Sequence, residues 1–100
     1  MSLRHIVMLT LSAQDEQQRA ADAAEIKTQL EALVGLVPSL RAMSVGVNSL
    51  YPEENWDVVL IADFDDAEGL AAYVTHPAHV AAAEVIARVR RDRAAVDFEV

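Results

Sequence analysis

The sequence predicts an α+β fold in which a four-stranded antiparallel sheet carries its helices on one face. Three observations predict it. Short runs of β-branched and apolar residues open the chain, occur twice in its middle and close it. Two stretches with helical spacing separate them, giving strand, helix, strand, strand, helix, strand, the split βαβ or ferredoxin-like order. No linker, repeat or low-complexity segment interrupts the series, so a single domain is expected over residues 1–100.

Leu3 to Leu11 is short, apolar and partly β-branched, and reads as the first strand. Ser12-Ala13-Gln14-Asp15-Glu16 then opens a helix with acidic residues in its first turn. Ile26, Leu30, Leu33, Val34 and Val37 follow at intervals of four, three, one and three, a single helical stripe, with Glu25, Lys27, Gln29 and Glu31 off it. Gly35 and Pro38 mark the helix end. Leu40 to Asn48 reads as the second strand, and the polar stretch Ser49 to Asn55, which contains Pro52, as its connection to the third. Trp56 to Phe64 is the strongest strand pattern in the chain.

Asp65-Asp66 offers an N-cap to a short helix carrying Ala67, Leu70, Ala71 and Val74. Pro77 breaks that helix and biases His76 away from helical angles. Proline is well placed in a helix's first turn, so a second piece is expected from Pro77 to about Arg91. Ala94 to Val100 reads as the closing strand.

In Val58-Val59-Leu60-Ile61-Ala62 both strand phases are apolar, and Ile6 and Met8 alternate with the equally apolar Val7 and Leu9. Helices cover only one of the two faces. The other must meet something apolar, and the chain has no element to spare. A second subunit is therefore expected, sheet facing sheet, with room for a cavity between them. The composition agrees: 53% of 100 residues are hydrophobic, more than a monomer of this size readily hides.

The charge balance, 8 Lys+Arg against 16 Asp+Glu, argues against binding a nucleic-acid backbone, which needs a basic footprint. The absence of cysteine removes disulfides, thiolate metal sites and thiol catalysis. No apolar run approaches the roughly 20 residues of a membrane span, and the opening Met1 to Val7 lacks a signal pattern. A cytoplasmic protein is expected. Arg88, Arg90, Arg91 and Arg93 read as a solvated helix end whose cations complement the dipole. His76 and His79 stand three apart, but the proline between them spoils a helical ligand pair and no His-Glu-x-x-His occurs, so no metal is expected. His76 fits the role of an N-cap.

His5-Ile6-Val7-Met8-Leu9, Val45-Gly46-Val47-Asn48, Asp63-Phe64-Asp65-Asp66, Tyr73-Val74-Thr75-His76-Pro77-Ala78-His79 and Val96-Asp97 resemble successive blocks of one family. The chain is similar, over nearly its whole length, to the stress-responsive A/B barrel domain family of the dimeric α+β barrel superfamily. The resemblance implies a homodimer whose two sheets form a barrel. Olivetolic acid cyclase-type members close a polyketide by an aldol-type step without metal or organic cofactor. By that likeness Tyr73 and His79 match the catalytic pair, and His5 matches a histidine lining the pocket. Asp57 stands where the cyclase type has a further pocket histidine, a departure bearing on substrate and chemistry.

On these grounds Tyr73 and His79 are the candidate catalytic residues, and His5, Val7, Leu9, Asp57, Val59 and Ile61 the candidate lining of a pocket for a small aromatic or polyketide-like ligand. A first-turn position keeps an imidazole neutral against the helix dipole, as a general base requires. Tyr73 would hydrogen-bond a carbonyl or enolate oxygen. The alternative is a non-catalytic, stress-associated protein whose barrel interior is solidly packed.

Overall fold

A computed structural model describes residues 2–100; Met1, the first residue of the expected domain, lies outside the described residues. The elements are β1 (Leu3–Leu11), α1 (Glu16–Glu31), β2 (Ala42–Val47), β3 (Val58–Phe64), α2 (Ala67–Thr75), α3 (Pro77–Val89) and β4 (Arg90–Glu99). The sheet is antiparallel throughout, in the order β2-β3-β1-β4. This is the ferredoxin-like arrangement that the order of elements predicts.

Register decides which residues meet the helices. Residues directly opposite on antiparallel strands share a face. Val7 stands opposite Leu60, Leu9 opposite Val58 and His5 opposite Ala62, so odd positions of β1 pair with even positions of β3. All six are buried, with Ala23, Ile26 and Leu30 of α1 in the same core. Ile6 and Met8 stand opposite Ile61 and Val59 on the other face, where Val96 joins them opposite Ile6. There Met8 is 38% and Val96 54% exposed. One face is thus covered by the helices and the other an apolar surface.

Helix α1 starts at its expected place because the Asp15 carboxylate accepts from the Gln18 N–H at 3.0 Å. It stops at Glu31, short of the apolar stripe. Leu33 and Val37 are still buried, carried on turns around Gly35, whose φ of 91° suits glycine. Lys27 and Glu31 reach across to β2, where Lys27 Nζ donates to the Val45 carbonyl at 2.8 Å and Glu31 accepts from its N–H at 3.2 Å. Those two groups belong to an edge strand, and α1 satisfies both.

The helix expected to run to about Arg91 ends at Val89, and β4 starts at Arg90 rather than Ala94. Ser12 supplies the reason. Its N–H and hydroxyl both donate to the Val89 carbonyl, at 2.8 and 3.0 Å, and strand pairing takes over from Arg90 onward. Of the four arginines assigned to a helix end, only Arg88 lies in the last helical turn.

Candidate functional site

The break at Pro77 builds the site. In an unbroken helix the N–H of residue 77 would bond to the Tyr73 carbonyl, and that of residue 78 to Val74. Proline has no N–H, and the His76 N–H takes the Tyr73 carbonyl instead, at 3.1 Å. The Ala78 N–H is taken by His76 Nδ1 at 3.0 Å, an N-cap made by a histidine. The Val74 carbonyl is therefore left over. His79, in the first turn of α3, occupies it through Nδ1 at 3.0 Å.

A carbonyl oxygen only accepts, so Nδ1 carries the proton and Nε2 of the neutral ring keeps its lone pair. Burial lowers the His79 pKa below its ordinary 6.5 against the opposing effect of the Val74 bond, and the electrostatic influence of the neighbouring His5 and Arg93 lowers it further. The ring is neutral at pH 7 and able to take a proton.

Tyr73, on the last turns of α2, is 1% exposed. Its ring lies 4.3 Å from that of His79 and 5.1 Å from that of Phe64, centroid to centroid. Burial pushes its phenol up to about 12, so the hydroxyl stays protonated and serves as a hydrogen-bond donor. His5 is buried at 8% exposure, and its Nδ1 meets Asp97 Oδ1 at 2.5 Å. Asp97 stands opposite His5 in the sheet, which orients the imidazole.

These side chains border one cavity of about 360 Å³ between the helices and the sheet of a single protomer. Its walls include His5, Val7, Leu9, Tyr73 and His79 of the residues singled out from sequence, together with Leu30, Leu60, Ala83, Ile86, Arg90 and Arg93. Asp57, Val59 and Ile61 are not among them. Val59 and Ile61 lie on the opposite sheet face, because β3 presents its even residues to the helices. Asp57 accepts from the Leu11 N–H at 2.7 Å and borders a separate cavity of about 270 Å³ with Arg19, Val47 and Pro52. The cavity bordered by Tyr73 and His79 is lined by residues of one protomer.

Sequence reasoning missed Arg90 and Arg93, although a signal for one existed. His79, Ala83, Ile86 and Arg90 follow at intervals of four, three and four, a helical stripe running off the end of α3. Among the described residues no group of three or more His, Asp or Glu is placed to hold a metal ion. Among the described residues no helix is long and apolar enough to cross a membrane.

A family model described as the stress responsive A/B barrel domain matches residues 3–100. No curated protein matches. Among solved structures, a dimeric protein of unknown function and ferredoxin-like fold from Bacteroides fragilis is 32% identical. Its TM-score is 0.90, with 99% of this chain and 96% of that one covered. A dimeric ferredoxin-like protein of unknown function from Thermobifida fusca is 30% identical with a TM-score of 0.82, covering 100% and 92%. A hydroxynitrile lyase from Passiflora edulis, 14% identical over 97% and 91% of the two chains at a TM-score of 0.73, shares the fold.

Proposed function

The chain belongs to the stress responsive A/B barrel domain family, and on that premise we propose that it is a homodimer whose protomers each bind a small, largely apolar carbonyl compound. His79 and Tyr73 then act on that compound by acid–base chemistry without a cofactor. One observation carries this reading. A neutral imidazole with Nε2 unengaged and a protonated, buried phenol stand ring to ring on the wall of one apolar cavity.

His79 Nε2 removes a proton from the carbon beside the ligand's carbonyl, and the electron pair moves onto oxygen as an enolate. Tyr73 donates a hydrogen bond to that oxygen. Returning the proton to the same carbon completes an exchange. If the enolate carbon instead bonds to a second carbonyl of the same molecule, the protonated His79 delivers its proton to the new alkoxide. The outcome is an aldol-type ring closure, suited to an aromatic or polyketide-like ligand.

The homodimer is supported by the apolar outer face of the sheet and by the dimeric state given for the Bacteroides fragilis and Thermobifida fusca neighbours. The acid–base reading is tested by the loss of α-protons from benzylacetone in deuterium oxide, followed by NMR. We expect protein-dependent exchange that disappears in His79→Ala and falls steeply in Tyr73→Phe, both variants remaining folded. Exchange equal to that without protein, or unchanged in both variants, overturns it.

A further inference from the structure

Two arginines line the cavity, and neither gives or takes a proton in the chemistry proposed above. Among the described residues Arg4, Lys27, Arg41 and Arg91 are ion-paired with carboxylates and Arg19, Arg88, Arg90 and Arg93 are not; Arg19 borders its cavity beside Glu16 and Asp57, whereas Arg90 and Arg93 have no carboxylate on theirs. In a chain with 16 Asp+Glu and 8 Lys+Arg, carboxylates are plentiful, so an unpaired guanidinium at a cavity calls for a reason. No Asp or Glu lines that cavity. Asp97, which shares the strand face, is engaged by His5.

Arg90 and Arg93 are three residues apart, and in an unbroken strand such residues point to opposite faces. The pairing of β1 with β4 changes step between them. Leu9 stands opposite Arg93 and Leu11 opposite Arg90, with a register shift between. Thr10 alone therefore faces both Arg91 and Asp92, a β-bulge of two residues against one. Its hydroxyl accepts from the Asp92 N–H at 2.9 Å and meets the Asp92 carboxylate at 3.1 Å. Leu9 and Leu11 both lie on the buried face, so their partners Arg93 and Arg90 do too.

We propose that Arg90 and Arg93 form a carboxylate-receiving end to this cavity, so that its ligand is an apolar molecule ending in a carboxylate. The inference rests on the reading of the cavity as a ligand site. Both arginines are exposed whereas Val7, Leu9, Leu30 and Leu60 are buried. The guanidinium groups thus form the rim and the aliphatic side chains the floor. Their forked N–H donors fit a planar carboxylate at the rim, and the aliphatic floor takes the apolar body of the ligand. A ligand held by its carboxylate at the rim lays its body toward Tyr73 and His79.

The test is calorimetric titration of the folded dimer with phenylacetate and with phenylacetamide, its neutral counterpart of nearly equal shape. Phenylacetate is expected to bind about fivefold or more tightly, an advantage that shrinks as salt is added. In an Arg90→Gln, Arg93→Gln double variant the two probes should bind within about twofold of each other. Arg93→Lys should retain part of the preference. Equal binding by the wild type, no phenylacetate binding at millimolar concentration, or a preference surviving in the double variant each overturns the proposal. An acid preference without α-proton exchange would keep the arginine end and discard the base, so the two readings fail separately.

Discussion

The rings of Tyr73 and His79 lie 4.3 Å apart although a helix break separates them. The break makes the pairing possible. It frees the Val74 carbonyl, which pins His79 by Nδ1 and leaves Nε2 as its basic atom. Removing that atom should cost proton abstraction about 10²- to 10⁴-fold. Removing the Tyr73 hydroxyl while keeping its ring should cost about 10²-fold. Rates of benzylacetone exchange in His79→Ala and Tyr73→Phe measure both.

Tyr73 also holds the core, packing on Phe64 at 5.1 Å. Tyr73→Phe keeps that packing and should leave urea denaturation nearly unchanged. Tyr73→Ala opens a void and should destabilise the fold by about 3–5 kcal/mol. Equal losses in the two variants would contradict the division between ring and hydroxyl.

Burial lowers the His79 pKa, with His5 and Arg93 adding to the effect. Its NMR titration midpoint should fall below 6.5. Since the neutral ring is the base, α-proton exchange should hold level near pH 7 and decline only as pH falls through that midpoint. Arg93→Gln removes a repelling cation and should move the midpoint upward. A midpoint at or above 6.5 in the wild type would contradict this environment.

Asp57 lies outside the cavity and accepts the Leu11 N–H at 2.7 Å. Asp57→Ala strands that donor and should cost about 1–3 kcal/mol in denaturant unfolding. Exchange rates in the folded variant should match the wild type. A selective loss of exchange would return Asp57 to the site.

The outer sheet face should be the subunit contact. Sedimentation at micromolar concentration should give a dimer, and Met8→Glu with Val96→Glu should give a monomer. Both residues lie on that face, opposite Val59 and Ile6 respectively, where a carboxylate would be buried without a partner.

The alternation of β1 and the two-sided apolarity of β3 were enough to place the sheet and foresee its second apolar face. Pro77 was enough to locate the break and the first-turn position of His79. The pocket lining was only half legible. Val7 and Leu9 line it but Val59 and Ile61 do not, because alternation fixes the faces within one strand and leaves open which phase of the next strand matches them. Arg90 and Arg93 were hidden for a different reason. Arginine is a good helix former, and only the pull of Ser12 on the Val89 carbonyl, a contact remote in sequence, ends the helix before them.

The bulge opposite Thr10 has a consequence for comparing this chain with its relatives. A single deletion at Arg91 or Asp92 would remove the bulge and still leave Arg90 opposite Leu11 and Arg93 opposite Leu9, two residues apart and on one face by regular alternation. A relative that keeps both arginines three residues apart but pairs its last strand without a bulge would turn one of them outward and lose the cationic rim. The spacing of the two arginines taken together with the bulge, more than their identity alone, is the character by which ligand preference should sort the family.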